Sequence, residues 1–186
     1  MTGLIVIGII LAMIVFVVAC TYNSLVTTRN HCDEAWADVD TELKRRYDLI
    51  PNLVNTVKGY VQHEREIMDA VTKAHELALS SAPTPAAQAQ AENDLTRALR
   101  SLFALAENYP QLRAAENFAA LQQELANTED RIQAARRFYN GNVRDNNNAV
   151  QFFPGSIIAG MFGFRTADFF EIDDPVVAEP VKVSFG

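Results

Sequence analysis

The feature that most constrains this chain is a complete lack of charge at its amino terminus. All 16 Lys and Arg and all 23 Asp and Glu residues lie at or beyond Arg29 in the 186-residue sequence. Residues 3–20 form an 18-residue run with no charged, Asn, Gln, Ser or Thr side chain. As a helix this run is about 27 Å long, close to the roughly 30 Å hydrocarbon core of a bilayer. Its aliphatic side chains surround the whole helix, which predicts a transmembrane anchor and juxtamembrane segment over residues 1–28.

Three alternatives to a transmembrane anchor stay open for this run: a buried core helix, a cleaved secretory signal and a lipoprotein signal. A cleaved secretory signal normally begins with basic residues, and none precedes the run. The sequence from Val17 to Cys20 is similar to a bacterial lipobox, so lipidation of Cys20 after cleavage is an alternative that would place the chain outside the inner membrane. For an intact anchor, the basic residues Arg29, Lys44, Arg45 and Arg46 follow the run and no Lys or Arg precedes it. The positive-inside rule then predicts an inner-membrane protein with its remaining residues on the cytoplasmic side.

The rest of the chain has a helical period. Apolar residues recur at intervals of three and four from Cys32 to Val61, and the stripe continues to Leu79 across Pro51, where we expect a kink or short break. Further helices are predicted over residues 86–108 and 114–150, separated by Tyr109-Pro110. The sequence therefore predicts an all-α fold, with an elongated antiparallel bundle of three to four long helices over residues 29–150.

A second uncharged apolar segment follows the predicted bundle. Residues 152–164 are too few to span a bilayer, so we expect an apolar strap or short helix within residues 151–170 and a flexible tail over residues 171–186. An apolar surface of this size favours contact with a partner or with the membrane. The residues predicted to make this contact are Phe152, Phe153, Ile157, Ile158, Met161, Phe162 and Phe164.

Composition and motifs indicate a binding protein rather than an enzyme. The net charge of −7 and pI near 4.9 argue against nucleic acid as a partner. The spacing of the three His and two Cys residues fits no metal site, and no phosphate-binding loop or nucleophile elbow occurs, so no catalytic residue, metal or cofactor is predicted. An enzyme of unrecognised type, such as a hydrolase using His63 and Glu64, remains the alternative.

One charged residue borders the apolar stripe. Leu43, Arg46 and Ile50 share a helix face, so the guanidinium of Arg46 must meet an acid or reach water. We expect a structural ion pair with an acid of the third helix, rather than a lipid or ligand phosphate. The candidate acids are Glu116, Glu124, Glu129 and Asp130.

Several aromatic- and proline-bearing blocks resemble the LemA family of bacterial membrane-anchored proteins, and they follow one another in order over residues 22–170. The blocks are Tyr22–Val26, Glu34–Trp36, Arg45–Val54, Glu107–Leu112, Glu116–Phe118, Ala135–Asn140, Phe153-Pro154, Ile158–Gly160 and Phe162–Phe164. Asp145–Asn148 departs mildly from the family's usual Asp-Tyr-Asn run.

The resemblance implies an amino-terminal anchor followed by a helical bundle, and it implies no catalytic residues. Members are often encoded beside membrane zinc metalloproteases or other envelope proteins, which implies an accessory role in envelope homeostasis. Some members look like lipoproteins, which keeps Cys20 as an alternative lipidation site. The expected function is a membrane-anchored scaffold or adaptor that forms homo-oligomers and binds a membrane protease or another envelope protein. The alternative is a lipidated periplasmic module for lipid binding or stress.

Overall fold

The computed structural model describes residues 1–61, 64–81 and 84–172, and 85% of these residues are helical. No strand occurs among them, which confirms the predicted all-α class. Six helices lie within the described ranges: α1 (Thr2–Lys58), α2 (Arg65–Ser80), α3 (Pro85–Ala106), α4 (Pro110–Arg113), α5 (Glu116–Gln151) and α6 (Gly155–Phe162). The predicted flexible tail lies, from residue 173 onward, outside the described residues.

Helix α1 is one uninterrupted helix of 57 residues, so the expected boundary at residues 28 and 29 lies inside it. The short break expected at Pro51 does not occur, because the helix continues through Pro51 and ends at Lys58, whereas a kink there stays a prediction. The amide of Gly59 donates to the carbonyl of Thr56 at 3.2 Å, and the amide of Tyr60 donates to Val57 at 3.0 Å. These i→i+3 bonds tighten the last turn and end the helix before α2.

α1 accommodates Pro51 because a side chain of α2 replaces the hydrogen-bond donor that proline lacks. Proline has no N–H, so the carbonyl of Tyr47, four residues earlier, loses its ordinary helix partner. Nε2 of His75 on α2 lies 3.1 Å from that carbonyl oxygen and donates to it, and its ring contacts the Tyr47 ring edge-on at 5.9 Å. The imidazole therefore satisfies a carbonyl that the proline leaves without a donor.

Helices α3 and α5 begin and end close to their predicted limits. Thr84 caps α3 by accepting the amide of Ala87, and Pro85 occupies the first turn, where its missing N–H costs nothing. The short helix α4 occupies part of the predicted connection after Tyr109. Helix α5 begins at Glu116 and ends at Gln151, within two residues of the predicted limits.

The helices form two compact units. The first comprises Met1–Arg45 and Asn127–Phe169. Three contacts fix the relative direction of α1 and α5 within it. Thr28 donates to Asn146 at 3.5 Å, the rings of Trp36 and Tyr139 lie 5.2 Å apart, and Glu42 lies 3.9 Å from Arg131. Residue numbers rise along α1 while they fall along α5, so the two helices are antiparallel.

The second unit comprises Arg46–Ala126 and the segment that begins at Phe170. Here α2 and α3 form a helical hairpin, with the end of α2 linked to α3 by a bond from Gln88 to the carbonyl of Ala78. The core consists of fully buried aliphatic side chains, each contributing about 1.5–3 kcal/mol relative to exposure. These include Ile50, Leu53, Val57, Val71, Leu95, Leu102 and Leu112.

The bond from His75 to the Tyr47 carbonyl predicts that substitutions at His75 and Pro51 have non-additive effects on the free energy of unfolding. We expect His75→Phe, which keeps an aromatic ring beside Tyr47, to cost about 1–3 kcal/mol because a buried carbonyl loses its donor. In a Pro51→Ala background the amide of residue 51 is free to bond that carbonyl, so the same substitution should cost about 1 kcal/mol less. Thermal unfolding of the four chains, followed by circular dichroism in one detergent, measures the difference. Equal losses in both backgrounds would contradict this role of the imidazole.

Candidate functional site: the α6 surface and a buried ion pair

The uncharged carboxyl-terminal segment folds into α6 and packs on α1 beside the end of the apolar run. Ile158 and Ala159 of α6 form a buried cluster with Leu25 of α1. Val18 and Phe164 pack against this cluster and are themselves partly buried. The contact between α1 and α6 therefore includes Val18, inside the apolar run, and Leu25, beyond its end.

Aromatic contacts extend this packing. The ring of Tyr22 on α1 meets the edge of Phe162 at 5.0 Å and that of Phe164 at 5.6 Å between centroids. Such edge-to-face pairs contribute about 0.5–1.5 kcal/mol beyond the area they bury. Tyr22 thus joins the end of α6 to the first turn of α1 after the apolar run.

Two glycines shape the ends of α6. A Cβ on Gly155 would lie 2.0 Å from the carbonyl oxygen of Ala149, so the close approach of α6 to the end of α5 requires glycine. At the other end Gly163 has φ 75°, a left-handed conformation that glycine adopts without strain. The amide of Phe164 then bonds the carbonyl of Ala159 at 3.0 Å, which closes a Schellman turn.

The seven residues predicted to contact a partner or the membrane fall into two groups, one packed against α1 and one exposed. Ile158 and Phe164 pack inward against α1, on the face of the segment that Leu25 covers, and their contact with a partner or the membrane stays a prediction. The other five are exposed, and we call them the α6 surface. They are Phe152, Phe153, Ile157, Met161 and Phe162, with exposed fractions between 54% and 81%.

A second polar feature lies buried in the second unit. Nη1 of Arg46 lies 3.2 Å from Oε2 of Glu92 on α3, and both side chains are almost completely buried. Nη2 of Arg46 also donates to the hydroxyl of Thr96 at 2.9 Å. A charged pair in such a place is stable only when the remaining donors and acceptors are also satisfied.

Neighbouring side chains supply those bonds. The hydroxyl of Tyr47 donates to Oε1 of Glu92, and the side-chain amide of Gln88 donates to the Tyr47 hydroxyl at 2.6 Å. Burial raises the pKa of the Tyr47 phenol well above its usual value, and the charge of Glu92 and the hydrogen bond to it raise that pKa further. The phenol therefore stays a neutral donor, and the network holds α1 to α3.

Glu92 was not among the four acids expected to pair with Arg46. Glu116 is exposed and lines a shallow open pocket with Thr56, Tyr60 and two neighbours, while Asp130 is exposed and Glu124 and Glu129 are half-buried. Pairing of Arg46 with one of those four stays a prediction. The signal for Glu92 was present in the sequence, because Glu92, Leu95, Leu99 and Leu102 recur at helical spacing on one face, and a carboxylate in an apolar stripe needs a buried cation.

The remaining candidate residues lie apart from these features. Cys20 is exposed on α1, whereas Cys32 is buried, and burial with the neighbouring Asp33 and Asp145 charges raises the pKa of its thiol. His63 lies outside the described residues. Glu64 accepts a 2.6 Å bond from the hydroxyl of Tyr109, which raises the pKa of that phenol. Within the described ranges, no group of three or more His, Cys, Asp or Glu residues is placed to hold a metal ion.

The buried pair predicts a strong effect of removing one partner. Arg46→Met should lower the free energy of unfolding by about 3–5 kcal/mol, because Glu92 is left as an uncompensated buried charge. Adding Glu92→Gln, which keeps an oxygen for the Tyr47 hydroxyl, should restore most of the loss. Arg97→Met is the matched control: Arg97 pairs with Asp94 at 2.8 Å on the exposed side of α3, and its loss should cost less than about 1 kcal/mol.

Denaturant unfolding of the four chains measures these differences. An unchanged or raised melting temperature for Arg46→Met, with only membrane or partner binding reduced, would contradict the structural role of Arg46.

The amino-terminal part of α1 is the candidate membrane helix. Among the described residues it is the single helix long and apolar enough to cross a bilayer, and none of its most apolar 18-residue stretch is buried. This agrees with a helix that faces lipid, since such a helix exposes apolar side chains along the membrane.

Comparison with known proteins supplies relatives over most of the chain. The magnetosome protein MamQ of Magnetospirillum gryphiswaldense is 21% identical over 203 aligned positions, which cover 92% of this chain and 75% of MamQ. The magnetosome proteins MamQ 1 and MamQ 2 of Paramagnetospirillum magneticum are each 24% identical, over 81% of this chain and 64% of their own length. This chain therefore spans less than two thirds of the latter two proteins.

The LemA family profile matches residues 35–185, which include most of α1 beyond the apolar run and all of the later helices. That match covers most of the chain, in agreement with the motif blocks in the sequence. The chain belongs to the LemA family.

Proposed function

We propose that this chain is a non-enzymatic scaffold or adaptor of the bacterial cell envelope, held in the inner membrane by the start of α1. The observation that carries the proposal is the continuity of α1, which contains the apolar stretch and continues without a break through residues of both compact units. Because one helix serves as anchor and as core, any protein docked on the later helices is held at the membrane.

The charges beyond the apolar run support a cytoplasmic position for the helical part. Arg29, Lys44 and Arg45 are exposed on α1 after the run, and no basic side chain precedes it. Basic residues that flank a span on one side favour the cytoplasmic face of the membrane. Arg46 also follows the run, but its side chain is buried and paired with Glu92.

A binding role agrees with the chemistry of the described residues. The buried polar groups around Glu92 bond one another and hold helices together. Enzyme sites are instead concave, with several polar groups directed at one point of the substrate. The LemA resemblance likewise implies no catalytic residues.

Confinement to a membrane explains how such a scaffold assembles. Chains anchored in one bilayer meet at a much higher effective concentration than free chains, so modest contacts between helical faces suffice. We therefore propose homo-oligomers as the working form, with a membrane protease or another envelope protein as the bound partner.

The mass of the complex extracted from native membranes in mild detergent tests this function. We expect an assembly several times the 20.6 kDa of one chain, made of this chain alone or with a stoichiometric envelope protein. Crosslinking in the membrane before extraction is the control for dissociation in detergent. A single chain in both measurements would contradict the scaffold and adaptor roles together.

A further inference from the structure

The α6 surface is an apolar face with no protein covering it in the first unit. Its five side chains are more than half exposed, and Phe153 and Met161 reach 81% and 71%. Ile157 and Met161 lie one turn apart on the same side of α6, opposite the buried Ile158 and Ala159. Five large apolar side chains exposed together on a short segment indicate a surface that is covered in the cell.

We propose that the α6 surface inserts into the interfacial layer of the same bilayer that holds the anchor, so that the chain contacts the membrane through two elements. The occupant of this surface is lipid at the level of the headgroups and the first acyl carbons. The proposal rests on the anchor crossing the membrane, which belongs to the proposed function.

The depth of α6 along α1 carries the proposal. α6 packs on Val18, Tyr22 and Leu25, whereas the apolar run ends at Cys20. At 1.5 Å per residue, these contacts lie from about 3 Å inside to about 7.5 Å outside the end of the run. The interfacial layer on each side of the hydrocarbon core is about 5–7 Å thick, so α6 is held at the depth of that layer.

The chemistry of the segment fits that layer. Residues 146–164 contain no charged side chain, so no charge needs to be buried when the α6 surface enters lipid. Phe and aliphatic side chains are typical of interfacial helices, which insert about 5–10 Å into the boundary between headgroups and acyl chains. Tyr22, beside α6, has the amphipathic ring that is enriched at the edges of membrane spans.

Basic side chains follow both the apolar run and the uncharged segment in the sequence, whereas Asp145 precedes the uncharged segment. Arg29 is the first charged residue after the anchor, and Arg165 is the first after the uncharged segment, and both are exposed. Basic side chains that flank an interfacial element bind anionic headgroups. A second protein chain would need to displace the lipid that already surrounds a single span at this depth, which favours lipid as the occupant.

Depth-dependent fluorescence quenching tests the proposal on the full chain. Met161→Trp is reconstituted into phosphatidylcholine–phosphatidylglycerol vesicles whose acyl chains carry bromine either near the carbonyl or near the methyl end. Trp36, the natural tryptophan, stays in every chain and its signal is subtracted using the unsubstituted protein. We expect bromine near the carbonyl to quench the new tryptophan about twofold more than bromine near the methyl end, since the α6 surface inserts only shallowly.

Phe138→Trp is the matched control. Phe138 is 61% exposed on α5, one residue from Tyr139, which contacts Trp36. Trp36 lies 16 residues beyond Cys20, about 24 Å along α1, so a tryptophan at position 138 should escape quenching by either lipid.

The outcomes separate the possible occupants. Quenching at position 161 that is unchanged when the protein is diluted in lipid supports the proposal. Absence of bromine quenching, with quenching by aqueous iodide, would overturn it and leave the surface in water. A shielded tryptophan that responds to neither quencher would overturn it in favour of a second copy of this chain.

Flotation of the same vesicles distinguishes failure of the inference from failure of the proposed function. If the chain fails to float, or if alkaline carbonate extracts it, the chain has no membrane anchor. The proposed function and the α6 contact then both lose their basis. A chain that floats and resists extraction, but shows no quenching at position 161, leaves the anchor intact and removes the α6 contact alone.

Discussion

Every other element of this protein depends on the continuity of α1. The helix carries an apolar stretch with no buried residue, then the residues that pack against α5 and α6, and then Arg46 and Tyr47, which bond α3. A helix of this length is stable through the faces it buries rather than through intrinsic propensity. The contacts of α1 with α3, α5 and α6 therefore stabilise α1 as one helix that contains both the apolar stretch and the first part of the helical core.

Helical periodicity was sufficient to predict the class of the fold and most helix limits. The three- and four-residue steps from Cys32 to Val61 correspond to buried positions such as Val39, Leu43 and Ile50. The pattern could not locate the end of α1, because the apolar phase continues past Gly59 while the backbone turns there. It also could not show that His75 replaces the donor missing at Pro51, since that bond joins residues 28 positions apart.

Contacts between distant helices limited the prediction of the candidate site. The sequence identified Arg46 as a cation in need of a partner, but spacing alone did not select Glu92 of α3 over acids elsewhere. Likewise, composition identified residues 152–164 as an apolar surface without showing which side chains α1 would cover. Ile158 and Phe164 pack against α1, while Gly155 lets α6 approach the end of α5 closely.

An apolar stretch that anchors the later helices requires α1 to remain whole in the cell. Intact-mass and peptide analysis of the protein extracted from its native membrane shows whether it does. We expect the residues before Cys20 to be retained and the Cys20 thiol to carry no lipid. A chain that begins at a lipidated Cys20 would contradict the anchor, and with it the depth assigned to α6 and the cytoplasmic position of the helical part.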